Sequence, residues 1–90
     1  MTTPTEEWTS NYRAPWKCVG GPFRGHERLC GTWAVDFLVK RRDRKIVVAR
    51  YVRAVRVNKR ARKATYFLRY FGTRSEWSPR FDAASRKAAV

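Results

Sequence analysis

Between residues 32 and 39 the odd positions Trp33, Val35, Phe37 and Val39 are apolar, while Thr32 and Asp36 point the other way. A period of two marks a half-buried strand. Lys40, Arg41, Arg42, Asp43 and Arg44 follow as a charged turn. Residues 45–57 then bring Ile46, Val47, Val48, Val52, Val55 and Val57, and β-branched side chains favour strand over helix. Arg50, Arg53 and Arg56 recur every third position, which on a helix would form one stripe. On a strand, Arg50 and Arg56 share one face and Arg53 takes the other, unless a bulge near Arg53 resets the register. A second turn over 58–63 leads into residues 64–71, with Tyr66, Phe67, Leu68, Tyr70 and Phe71, and Gly72 ends that run. Short connections predict an antiparallel meander.

Residues 78–89 read as a helix. Ser78 suits the N-cap and Pro79 the first helical position, with Asp82 early and Arg86 and Lys87 late, as the macrodipole prefers. Phe81, Ala84 and Ala88 make a narrow apolar stripe, and Trp77 precedes the cap as an anchor. Residues 1–31 are punctuated by Pro4, Pro15, Pro22, Gly20, Gly21, Gly25 and Gly31, so long regular elements are not expected there. Trp8, Tyr12, Trp16 and Phe23 are too many aromatics for a free tail, so this arm should lie across the domain and close its core. The fold class expected is α+β. It has a small three-stranded antiparallel sheet (32–71), one C-terminal helix (78–89) and an irregular aromatic-rich arm (1–31) packed on the single domain 32–90.

Composition changes the question from fold to partner. The 90 residues support one small domain, and a 43% hydrophobic share allows a real core. Lys and Arg number 21 against 7 Asp and Glu, a formal charge of +14. A pI near 11.1 points to a polyanion, nucleic acid before an acidic protein or a membrane surface. The longest apolar run, residues 46–49, ends at Arg50, far short of the roughly 20 residues that span a bilayer. The N-terminus lacks the charged and apolar regions of a secretory signal, so both cysteines are expected in a reducing cytoplasm, the host's if the protein belongs to a phage.

The positive charge is concentrated. Residues 40–63 hold twelve cations (Lys40, Arg41, Arg42, Arg44, Lys45, Arg50, Arg53, Arg56, Lys59, Arg60, Arg62 and Lys63) against Asp43 alone. A block creates a local field where a dispersed excess gives only solubility. With the two turns at opposite ends of the sheet, the block forms a band roughly 35–45 Å long, enough to meet several phosphates. Guanidinium also binds phosphate bidentately and stacks on rings. On the third strand, alternation puts Tyr66, Leu68 and Tyr70 on one face and Phe67, Arg69 and Phe71 on the other. One face packs the core and the other can offer rings for base stacking.

Other candidates are weaker. Cys18, His26 and Cys30 supply three zinc-ligand types without a CxxC pair, short of a closed four-ligand site, so no metal and no cofactor are expected. His26, Glu27 and Arg28 contain the parts of a small ribonuclease, but adjacent strand residues point apart. Residues 20–25 lack the GK[ST] ending of a phosphate-cradling loop. The chain is therefore expected to be a non-enzymatic nucleic-acid-binding accessory protein, of the small type phages also carry. It would grip phosphates through residues 40–63, with Tyr66, Arg69 and Tyr70 as base or sugar contacts. The alternative is an interaction or inhibitor protein that docks on an acidic protein surface, with Trp8, Trp16 and Phe23 as anchors. A second alternative is a ribonuclease or toxin built on His26. An exposed edge strand can pair two copies, so the oligomeric state is open.

Overall fold

Six strands and one helix form the chain in the computed structural model, which describes residues 9–41, 43, 45–74 and 79–89. In chain order they are β1 (Thr9–Ser10), β2 (Trp16–Val19), β3 (Glu27–Arg28), β4 (Ala34–Lys40), β5 (Ile46–Asn58), β6 (Lys63–Arg74) and α1 (Pro79–Ala88). β4 and β5 pair antiparallel with Phe37 opposite Ala49, and β5 and β6 pair antiparallel with Arg53 opposite Leu68.

The expected three-stranded antiparallel α+β fold is corrected here. The sheet is mixed, runs in the order β3-β2-β6-β5-β4 with β1 also on β6, and curls into a half-barrel that is mostly β. The segment read as an irregular arm supplies three of its strands. β1 and β2 run parallel to β6, with Thr9 opposite Lys63 and Lys17 opposite Phe67, and β3 returns antiparallel to β2. A parallel pair is joined by a long crossover and not by a tight turn, so nothing local in the sequence announces it. Between β1 and β2 the Asn11 side chain replaces a backbone link of the ladder. Its Nδ2 donates to the Tyr66 carbonyl at 2.8 Å and its Oδ1 accepts the Tyr66 N–H at 2.5 Å.

The inner face buries Trp16, Cys18, Phe37, Ala49, Tyr51 and Leu68 as one cluster. Phe23 stacks on Phe37 with 4.3 Å between ring centroids, which folds the 20–26 loop over the end strand β4. Tyr51 ties that loop down. Its hydroxyl donates to the Gly20 carbonyl at 2.7 Å and accepts the Phe23 N–H at 2.9 Å. Burial raises the Tyr51 phenol above its ordinary range, the Phe23 bond opposing.

Gly21 beside it has φ +66, and a Cβ there would sit 2.5 Å from Tyr70 Cδ1 and 2.6 Å from Tyr51 Oη. Gly21→Ala is therefore expected to cost about 2 kcal/mol from clash and left-handed strain together. Gly25, at φ +91 with open space around its Cβ position, would show only the smaller strain component. Equal melting temperatures for the two alanine variants would contradict this packing.

The β5/β6 register slips once, since Arg50 faces Gly72 and Tyr51 faces Tyr70. Phe71 is thus the extra residue of a bulge on β6, at a different place from the bulge anticipated near Arg53. The bulge absorbs Gly72, so β6 continues to Arg74 where the sequence suggested an end, and it aims Phe71 at Phe81 of α1, 4.9 Å away. The helix docks on the outer face through Phe81, Asp82 and Ser85. Ala84 of the anticipated stripe is exposed, whereas Ser85 is 0% exposed. Ser78 and Trp77 lie outside the described residues.

Candidate nucleic-acid interface

β5 and β6 outrun their neighbour. β4 pairs no further than Ala34 with Val52, yet the β5–β6 pairing continues to Asn58 opposite Lys63. The hairpin end therefore runs past β4, with β1 beside it on the β6 side (Thr9 opposite Lys63), and the molecule is drawn out to 47 × 26 × 19 Å. Its turn is well defined. Asn58 Oδ1 accepts the Ala61 N–H at 3.1 Å, and Arg62 closes the loop at φ 47, the left-handed value common in four-residue hairpin loops. Lys59, Arg60, Arg62 and Lys63 are all exposed there, with exposed Arg56 just below.

Register extends this pole onto the outer face. Phe67 lies between Ala54 on β5 and Lys17 on β2, while Arg69 lies between Val52 and Val19. Arg56 rests over the Phe67 ring at 5.7 Å. Arg56, Lys17 and Arg69 thus surround a half-buried ring. The nearest carboxylate by register is Glu27, opposite Lys17. Lys17 and Phe67 were missing from the sequence-derived set. The alternation of Trp16, Lys17, Cys18 and Val19 was the available signal, obscured by the brevity of the strand between Pro15 and Gly20.

The continuous band expected along residues 40–63 is interrupted. Lys40, Arg41 and Lys45 form an exposed group at the far end of β5, about 40 Å from the hairpin tip at ~3.3 Å per residue. Arg42 and Arg44 lie outside the described residues. Arg50, between the two poles, is only 7% exposed and is fully engaged. Its Nε and Nη2 fork the Asp36 carboxylate at 2.7 and 2.8 Å, while Nη1 reaches Asp82 at 3.0 Å and the Ser85 hydroxyl at 2.9 Å. The Trp33 and Phe81 rings flank it at 5.2 and 4.9 Å. The Asp36 hydrogen bond pushes the Arg50 pKa up, overcoming desolvation. Arg50 joins helix to sheet and has no free fork for phosphate.

Arg53 is on the inner face, as strand alternation requires, over the Trp16 ring at 5.1 Å and the Tyr12 ring at 5.7 Å. Among the described residues its Nε is buried without a partner. Tyr66 and Tyr70 are also on the inner face. Tyr66 stacks on Trp16 at 5.2 Å, and the Tyr70 hydroxyl is hydrogen-bonded to Thr73. Among the residues proposed to contact bases or sugars, Arg69 alone faces outward and is exposed.

The other constellations do not converge. Trp16 is 0% exposed and Phe23 is packed on Phe37, so neither stands out as a docking anchor, and Trp8 lies outside the described residues. Glu27 pairs beside Lys17 on the outer face, whereas Arg28 turns in over the Phe37 ring at 5.1 Å. His26 is exposed and packs edge-on against Phe23. The ribonuclease triad is thus split between faces. Among the described residues no group of His, Cys, Asp or Glu could hold a metal ion, and both cysteines are free thiols, with burial pushing Cys18 up. Among the described residues no helix is long and apolar enough to cross a membrane. No family model, curated protein or solved structure matches the chain.

Proposed function

We propose that this protein is a non-enzymatic nucleic-acid-binding protein that grips the phosphate backbone with the β5–β6 tip and the outer-face cations beside it. One observation carries the reading. Lys59, Arg60, Arg62 and Lys63 crowd a structured turn beyond the end of β4, and two of the described carboxylates, Asp36 and Asp82, are taken up by Arg50. Among the described residues, only Arg50 and Arg86 form ion pairs, and no described carboxylate pairs with the four tip cations, which favours a polyanion as partner. Most rings of the sheet are in the core, which favours backbone contact over base stacking.

The test is binding to labelled duplex DNA, single-stranded DNA and RNA at about 50 and 200 mM salt. With ~6 phosphates neutralised, duplex affinity is expected to fall roughly a thousandfold between those conditions. Weak binding to all three polymers, equal among them and gone at the higher salt, would reduce the charge to a generic property and overturn the proposal.

A further inference from the structure

We infer that two copies of this chain associate through their β4 strands, in antiparallel register centred on Leu38. β4 ends the sheet, and among the described residues nothing pairs with its outer edge. Which peptide groups point out can be read from the two ends of the strand. The Trp33 carbonyl accepts the Arg53 N–H at 3.1 Å and the Arg41 N–H donates to Lys45 at 2.9 Å, so the odd positions bond inward. Alternation leaves the N–H and C=O of Asp36, Leu38 and Lys40 pointing away from β5. Asp36 and Lys40 put one charge of each sign on that edge, and the position between them is apolar. Leu38 is 73% exposed, Ile46 on the same face is 59% exposed, and Val48 lies directly opposite Leu38.

Self-pairing has few permitted registers. An odd shift would set the inner face of one copy against the outer face of the other. Centring on Phe37 keeps the faces matched but sets Asp36 against Leu38. Centring on Leu38 matches every pair from Asp36 to Lys40, with Val35 facing Arg41 beyond them. Leu38 meets Leu38 of the second copy, giving the outer-face row Val48–Leu38–Leu38–Val48. Asp36 meets Lys40 of the second copy on both sides of the axis, and Phe37 meets Val39 on the inner face. Asp36 can accept this bond because its side chain remains 43% exposed beyond the Arg50 fork, and a carboxylate has lone pairs to spare. Such a contact is isologous, as a two-fold dimer requires. Because the strands are antiparallel, the two basic hairpin tips lie at opposite ends of the joined sheet, which keeps the strongest like charges apart.

Each copy still carries +14, so repulsion opposes association and salt should favour it, the reverse of its effect on polyanion binding. Sedimentation equilibrium up to about 200 μM protein is expected to show a monomer–dimer equilibrium. Its dimer fraction should be larger at about 500 mM than at about 100 mM NaCl. Leu38→Lys should weaken the dimer at least about tenfold without lowering the melting temperature, since Leu38 lies outside the core. Leu38→Cys should cross-link across the axis with a short bifunctional thiol reagent, its Cα atoms being about 5.5 Å apart in a hydrogen-bonded pair. A wild-type chain that stays monomeric at both salts overturns the inference, and so does a dimer that survives Leu38→Lys or fails to cross-link at position 38. None of these outcomes bears on nucleic-acid binding, which has its own assay.

Discussion

Arg50→Ala is expected to lower the melting temperature by about 20 °C, although it removes one cation from a chain with many. The substitution strands Asp36 and leaves Asp82 only its longer contact to Arg86 at 3.6 Å, empties the space between Trp33 and Phe81 and leaves Ser85 Oγ without its guanidinium partner. Breaking a buried ion pair from one side costs about 3–5 kcal/mol, a large part of the stability of a domain this size. Part of Asp36 remains in water, so the effect should fall near the middle of that range. Arg56→Ala, at an exposed site, should change stability by less than about 0.5 kcal/mol. Arg50→Lys keeps the charge but loses the fork and should recover little. Removing the carboxylates together with the guanidinium, as Arg50→Met with Asp36→Leu and Asp82→Ala, should restore much of the loss. Thermal denaturation by circular dichroism decides the matter, and a shift under about 5 °C for Arg50→Ala would mean that helix and sheet are held together by something else.

Reversing Arg56, Arg60 and Arg62 to glutamate is expected to weaken binding at least about a hundredfold at ~100 mM salt, whatever the nucleotide sequence. Each phosphate no longer neutralised should also flatten the logarithmic salt dependence by about 0.9, so the triple variant should lower the slope by roughly 2.7. The flatter slope separates phosphate binding from a general change of fold or charge. All three side chains are exposed, so the variant's melting curve should match the wild type's. The same reversal at Lys40, Arg41 and Lys45 serves as a matched control and should cost much less. A weakening below threefold at the tip, or equal weakening at the two poles, would remove the hairpin from the binding surface.

What could be read from the chain alone divides by the range of the interaction. β4, β5 and β6 are neighbours in sequence joined by short turns, and their branched and alternating residues state the conformation locally. Alternation also separated Arg53 from Arg50 and Arg56, and Tyr66 and Tyr70 from Phe67 and Arg69. It could not say which set is covered, because that depends on β2 and α1, whose contacts are remote. Arg50 looked like any other member of the basic block. Its carboxylates come from Asp36 on one side and Asp82 on the other, a convergence visible only once the bulge at Phe71 and the helix dock are in place. The strands β1, β2 and β3 were hidden for a related reason. Proline and glycine punctuate them so closely that the segment reads as a loop, and β6, the partner of β1 and β2, lies far along the chain.

That last pairing has a consequence for how the protein is made. β1 and β2 leave the ribosome well before β6, and the strand they dock on is completed only when Leu68 and Arg69 emerge. At about 5–20 residues per second, Trp16 and its neighbours wait several seconds without that partner. The hairpins of β4, β5 and β6 can close within microseconds of emerging, so the earlier-made segment is the last to be incorporated. During synthesis this nascent chain is a half-built sheet with one side open, and its early aromatic segment is where a chaperone would find it.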